Sequence, residues 1–348
     1  MGRSCIAPRE GLEKRMARLI DELIAKAKGA PRRVALPEAT DADTLRTART
    51  VLDEGIAHPV LVGPAEEVRA AAAQAGVDLG GMELVDTSDE AAADALAKRY
   101  MAAGRERLVS SKGARRKVKK PLYYAMVLED LGDVDCTFCG HVNTTGDVLM
   151  AAQMMIGLAD GVDVPSILAL AQVPGFAGPE GDVIALTDCG LNPEPTAEEL
   201  ASIAIAACDN VRSIMGWEPR CAFVSYSTDG SGESPSIERV RKAVDVARAR
   251  RADLCMDGEF QLDAAIVPAV AAKKVRRESA VAGRANVLVL PDLNCANTMI
   301  KTIQLFAGGK GYGHTLSGFR RPVADSSRGA SVEEMVGDIA MLVLAAAE

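Results

Sequence analysis

From residue 33 onward, short apolar runs alternate with amphipathic stretches of helical length, and this alternation constrains the fold more than any other feature of the chain. Arg33–Glu38, Pro59–Val62 and Leu84–Asp86 read as buried strands, with Asp41–Glu54, Ala65–Ala75 and Asp89–Ala103 as the helices after them. Strands separated by single helices are joined by crossovers, which gives an α/β fold with a mostly parallel sheet covered on both faces. Gly11–Lys28, with Leu12, Met16, Leu19, Ile20 and Leu23 at helical spacing, adds an amphipathic helix in front. The rhythm breaks at Ser110–Lys120, where six of eleven residues are Lys or Arg. That segment reads as a solvated loop, or as a cationic rim that focuses anions. The rhythm resumes with Val134–Phe138, Thr144–Leu158, Ser166–Ala171, Val183–Leu186, Thr196–Met215, Cys221–Ser225 and Ser236–Arg250. Leu254–Met256, Ala264–Lys273, Ala285–Leu290, Thr298–Phe306 and Val332–Ala347 continue it. A length of 348 residues suits two lobes of this one architecture, divided near residue 150.

Composition removes several function classes. With 48% apolar and 25% charged residues the bulk of the chain is globular, not disordered. A net charge of −8 and 3% aromatic content provide neither the basic field nor the stacking platforms of a nucleic-acid binder. The longest uncharged stretch, Val164–Pro179, contains three prolines and two glycines, so no membrane span is expected. The opening MGRSCIAPRE has no apolar core of signal-peptide length and no Ser or Thr at position 6, so neither export nor myristoylation is expected. Eight cysteines scattered along a long chain read as reduced thiols in a cytoplasm.

Several motifs bear on chemistry. Cys136, Cys139 and His141 in CTFCGH lack the second ligand pair that a structural zinc site needs, so no metal is expected. FAGGKGYGH (Phe306–His314) fits neither phosphate-cradle spacing and reads as a tight turn between a helix and a strand. Thr196 with Glu199, and Ser331 with Glu334, have capping-box spacing. Asp188 and Asn192 follow a buried strand, a position where α/β proteins bind ligands. Ser225, Ser227, Thr228, Gly230, Ser231 and Gly232 precede a helix and form either an anion pocket or a flexible connection. Asp257, Glu259, Gln261 and Asp263 follow the next strand, and Asp292, Asn294, Asn297 and Lys301 the one after. Ser326, Ser327, Arg328 and Gly329 precede the last helix, where a guanidinium beside free amides suits phosphate oxygens. The convergence of several polar strand ends is the pattern of a site.

Taken in order, VALPEATD, NTTGDVL, DCGLNPEPTAEELASIA, SYSTDGS, DGEFQLDAA, VAGRANVLVLPDLNCANTMIK and PVADSSRGASVEEMV resemble the phosphate acetyl/butyryltransferase (phosphotransacetylase) family over nearly the whole chain. The resemblance implies a two-lobed, three-layer αβα architecture similar to the isocitrate/isopropylmalate dehydrogenase-like fold. One domain would comprise 1–155 plus 318–348 and the other 156–317, with the active site in the cleft between them. It also implies reversible transfer of an acetyl or other short acyl group between coenzyme A and phosphate, by direct thiolate attack on the acyl phosphate. Coenzyme A is then a substrate and no cofactor is needed; a homodimer is expected.

By the same matching, Glu334 stands where the family usually has Asp and would take the thiol proton. Ser327 would hydrogen-bond the carbonyl or thiol, and Arg328 would offset developing negative charge. Asn297, Lys301, Asp292, Ser227, Thr228, Thr144 and Thr145 would contact substrate. The chain departs from the family at Leu305 and Val109, where arginines are common, and at Ala296, His314 and Ala330. Leu305 beside an acyl tail would broaden specificity toward propionyl; the other reading places it in the core of its helix. A butyryl- or propionyl-using relative and a non-catalytic acyl-CoA-binding copy are the alternatives.

Overall fold

The computed structural model describes residues 9–105 and 109–347, with side chains except those of 9–18 and 314. The first eight residues of MGRSCIAPRE and the side chains of Leu12 and Met16 therefore lie outside the described residues. The first part of the chain runs α1 (Arg9–Lys28), β1 (Arg32–Leu36), α2 (Ala42–Asp53), β2 (Ala57–Gly63), α3 (Ala65–Ala75), β3 (Glu83–Asp86) and α4 (Glu90–Ala102). Next come α5 (Ser111–Lys117), α6 (Pro121–Asp130), β4 (Cys136–Cys139), α7 (Thr145–Met155), β5 (Ser166–Gln172), β6 (Val183–Thr187) and α8 (Ala197–Met215). The rest is β7 (Arg220–Val224), α9 (Pro235–Arg250), β8 (Cys255–Phe260), α10 (Leu262–Ile266), α11 (Pro268–Lys274), β9 (Val287–Val289), α12 (Leu293–Phe306), β10 (Lys310–Ser317), β11 (Val323–Asp325) and α13 (Val332–Ala345).

The strands form one sheet in the order β3-β2-β1-β4-β11-β10-β5-β6-β9-β7-β8, with helices on both faces. Pairing is parallel from β3 to β11 and again from β6 to β8. The three junctions in between, β11 with β10, β10 with β5, and β5 with β6, are antiparallel. Three reversals leave the two parallel wings running in opposite directions. Polar loops after β6, β7, β8 and β9 thus leave the sheet at the edge opposite those after β1, β4 and β11. The polar strand ends therefore form two groups, one at each edge.

Local chemistry explains most boundaries. Asp41 caps α2 by accepting from the Thr44 amide at 2.8 Å, and Leu45, Ala48 and Val51 form its buried stripe. Thr196 and Ser331 head α8 and α13 with complete capping boxes. Other elements depart from expectation. Ser110–Lys120 is not a loop: Ser110 caps α5, Ala114 and Val118 are buried, and Lys117 lies over the Tyr123 ring. The helix α6 has Leu122 through Asp130 all buried, so it shows no polar face and no 3.6-residue period. Pro268 splits Ala264–Lys273 into α10 and α11. The glycine-rich 306–314 segment turns only as far as Gly309; from Lys310 it is strand β10. Glycine suits that strand because a Cβ on Gly313, whose φ is +97°, would lie 2.7 Å from Met341 of α13.

Glu129 of α6 is fully buried, and removal from water pushes its carboxyl well above its ordinary value of 4.5. The Thr137 hydroxyl and the Arg321 charge offset only part of this. The unfolded chain ionises Glu129 above that value while the folded chain resists, so the cost to stability grows as pH rises. Glu129→Gln is expected to be neutral at pH 4 and increasingly stabilising toward pH 8 in urea unfolding; a gain independent of pH would contradict this.

Candidate active site

The ends of β1, β4 and β11 lie side by side, and their loops form one structure. Glu38, buried just after β1, accepts from the amides of Gly140 (3.0 Å), His141 (3.0 Å) and Asn143 (2.7 Å), and from the Asn143 side-chain amide (2.7 Å). The β4–α7 loop is thereby wrapped around a carboxylate. Gly140 has φ +95°, and a Cβ there would sit 2.2 Å from Asp325 Oδ1 and 2.7 Å from the Ser326 nitrogen. Only glycine allows the β4 and β11 loops to meet this closely. The Ser326 amide donates to the Cys139 carbonyl at 2.7 Å, and the Ala330 amide to the Ser327 carbonyl at 3.0 Å.

On this frame Ser327 and Arg328 are exposed. The Ser327 hydroxyl accepts from the Gly329 amide at 3.3 Å. Arg328 makes no hydrogen bond or ion pair among the described residues. Glu334 sits in the first turn of α13, where its Oε2 accepts from the Ser331 amide (2.8 Å) and hydroxyl (3.0 Å). The capping role is therefore real, and it leaves Oε1 outside the cap. Thr144 caps α7, donating to Asp147 at 2.7 Å; Thr145 follows, and both are exposed.

Ser227 and Thr228 do not belong to this group. Both are buried. The Ser227 hydroxyl donates to Glu259 at 2.8 Å and accepts from the Gly232 amide at 2.9 Å; that of Thr228 accepts from the Gln261 amide at 2.9 Å. Their side chains hold the β7–α9 loop against β8. Glu259 also accepts from the Gly230 amide and from Arg241, each at 3.1 Å. Burial pushes its carboxyl up, but Arg241, the Gly230 amide and the Ser227 hydroxyl together outweigh this and bring it down to about 2. Asp188 plays the same part after β6, accepting from the amides of Ile167, Gly190 and Asn192.

Asp292 caps α12, and Asn297 and Lys301 lie on its exposed face. The helix spans about 21 Å and returns along the sheet. Its later residues Ile300 and Ile303 pack on Gly311 and Gly309 at the start of β10, the edge toward which β11 points. Tyr312 of β10 is pushed up to about 12, by burial first and then by the charges of Glu333, Asp182 and Glu334. Among the described residues no hydrogen bond joins the α12 face to Ser327–Glu334. Leu305 is 78% exposed, so it does not face the core of its helix. Cys136 and Cys139 are buried in β4, and burial pushes both thiols up. Among the described residues no group of three His, Cys, Asp or Glu is arranged to hold a metal.

The pattern of the Phosphate acetyl/butaryl transferase family matches residues 18–343. The chain belongs to this family. It is 36% identical over 322 residues to a phosphate acetyltransferase of Thermoanaerobacterium thermosaccharolyticum, covering 92% of this chain and 97% of that protein. Identity to a phosphate acetyltransferase of Treponema pallidum is 37% over 330 residues, covering 93% and 98%. The solved EutD phosphotransacetylase of Staphylococcus aureus superposes with a TM-score of 0.85 at 29% identity, over 95% of this chain and 99% of that one. Like its family, the chain is an enzyme of reversible acyl transfer between coenzyme A and phosphate.

The family motifs point to Ser327 and Arg328 but not to the residues around which their loop is built. Glu38 was visible only as part of VALPEATD; a lone acid directly after an apolar strand is the trace it leaves. No descriptor of His141 beyond its place in CTFCGH pointed to Ser327.

Glu259 is held near 2 in the folded chain against an ordinary 4.5. Its contribution is complete above that ordinary value and is lost as pH falls toward 2, a loss of about 3 kcal/mol. Wild type should therefore lose more stability between pH 5 and pH 2 than Glu259→Gln, measured by urea unfolding. Parallel losses would show that the carboxylate is not paired as described.

Proposed function

We propose that acyl transfer takes place at the end of β11. The observation that carries this reading is the exposed Arg328, without a partner among the described residues, beside Ser327 and the start of α13. An unneutralised guanidinium next to a helix N-terminus favours an anion. In the reaction, Glu334 takes the coenzyme A thiol proton on the oxygen its cap leaves over. The thiolate sulfur bonds to the acyl carbonyl carbon, the carbon–oxygen bond to phosphate breaks, and phosphate leaves with that electron pair. Arg328 binds the phosphate oxygens, and the Ser327 hydroxyl donates to the carbonyl oxygen as charge develops there. A thiol titrates near 8.5, so a carboxylate can assist its ionisation at neutral pH.

Lys301 and Asn297 on α12 serve the coenzyme A phosphates and amides, Asp292 holds the start of that helix, and Thr144 and Thr145 line the other wall. The reading takes 1–155 plus 318–348 as one lobe and 156–317 as the other, with the site between them. Support for the division comes from the reversal of strand direction across β10 and β5. Coenzyme A acts as substrate, with no resident cofactor, in a cytoplasmic homodimer; the exposed Phe306, at 87%, favours a second copy as partner. No described helix is long and apolar enough to cross a membrane.

Arg328→Ala should lower kcat at least about a hundredfold, and Lys should restore only part, because it lacks the planar fork. Unchanged turnover would overturn the site. Glu334→Gln can still complete the capping box, so its melting temperature should hold while the acidic limb of the pH–rate profile disappears. With Leu305 in place of an arginine, propionyl-CoA should reach at least about a tenth of the acetyl-CoA kcat/KM, since a buried methylene is worth about 0.8 kcal/mol. An acetyl preference above about a hundredfold, or 2.7 kcal/mol, would exclude a role for Leu305 in acyl selection.

A further inference from the structure

The imidazole of His141 has no part in the roles assigned above, yet it connects three of the elements that build the site. Its Nδ1 lies 3.2 Å from the Ser327 carbonyl oxygen, and its Nε2 lies 3.8 Å from Asp41 Oδ2. The side chain is 10% exposed, and its own backbone amide is held by Glu38. A carbonyl only accepts, so the bond to Ser327 places a proton on Nδ1. Asp41 is itself fixed, because the same carboxylate oxygen caps α2 through the Thr44 amide. The ring therefore stands between an anchored carboxylate and the backbone of Ser327.

What the ring holds is more than a carbonyl. The Ser327 C=O and the Arg328 N–H belong to one peptide plane and point in opposite directions. The Ala330 amide takes one lone pair of that carbonyl, at 3.0 Å, and His141 the other. Gripped from two sides, the plane cannot rotate, and the Arg328 amide faces away from the ring. Among the described residues that amide makes no hydrogen bond. It stands beside the Ser327 hydroxyl and the Arg328 guanidinium as a third donor.

We propose that His141, lying between Asp41 and the Ser327 backbone, is a positioning residue that sets the Ser327–Arg328 peptide so that the Arg328 backbone amide donates to the anionic oxygen formed in acyl transfer. This rests on the reading of Ser327 and Arg328 as the reacting site. Donors fixed before the reaction cost no reorganisation as charge develops, so the effect belongs to kcat more than to KM.

The test measures kcat, and KM for coenzyme A and acetyl phosphate, in His141→Leu, His141→Asn and Asp41→Ser. Misplacement of a reacting donor by about 1 Å costs on the order of a hundredfold, so His141→Leu should lose at least about tenfold in kcat with KM changed less than about threefold. Asn carries an amide donor near the place of Nδ1, and should recover most of the loss. Serine keeps the α2 cap, so Asp41→Ser should melt like wild type yet lose kcat. The double variant His141→Leu/Asp41→Ser should be no slower than His141→Leu alone, as expected of residues acting in series. Wild-type kcat in His141→Leu, no rescue by Asn, or additive losses would each overturn the proposal. If His141→Leu does not fold, Asp41→Ser decides: a native melting temperature with reduced kcat supports the proposal, and full kcat overturns it. Arg328→Ala separates the two levels. If it stays active, the site reading itself fails; if it is inactive while His141→Leu is unaffected, only the positioning role fails.

Discussion

Buried carboxylates gripping loop amides are the interaction on which the rest of this structure depends. Glu38, Asp188 and Glu259 each sit at the C-terminal end of a strand and collect the N–H groups of an irregular segment. A loop withdrawn from water needs acceptors for its amides, and a carboxylate offers about four acceptor positions in one place. The same donors stabilise the ion, which would otherwise be costly to bury. Such loops are rigid without being helix or strand. That rigidity fixes the backbone from which exposed groups such as the Ser327 hydroxyl and the Arg328 guanidinium project.

Much of this fold was legible in the sequence, and the failures share a cause. Ala65–Ala75 emerged with its expected bounds, and both capping boxes formed at Thr196–Glu199 and Ser331–Glu334, because those signals are local. Helix α6 escaped notice because burial on every side erases amphipathic periodicity. Strand β10 escaped because its glycines, which read as a turn, instead make room for helices on both faces. Motif order points to Ser327, Arg328, Ser227 and Thr228 alike; the structure leaves the first two exposed, while the hydroxyls of the other two are engaged by Glu259 and Gln261 of the neighbouring strand and loop. Sequence shows which groups can donate. It does not show which acceptor arrives first.

The opposed wings follow from one short connection. Strands β5 and β6 are joined without a helix between them, so they pair antiparallel, and β7, β8, β9 and β10 run the other way until β11 turns back to rejoin the first wing. The absence of a helical stretch between Ala171 and Val183 was the available sign. Because of that reversal, α12 must cross back over the sheet to bring Lys301 toward the edge where β11 ends. The distance from its cap at Asp292 to its exposed end is set by this crossing.

Helix α13 fills two cores at once: Met341 packs among α8 and β7 side chains, while Met335, Ile339, Ala340 and Leu342 pack with those of β1 and α2. It is also the last of the described helices in chain order. During synthesis, strands β1 and β2 emerge long before the surface that covers them exists, and β4 waits for β11 before its outer edge is paired. The first wing therefore stays an open half-sheet until residues 323–345 have been made, long after its own first strands.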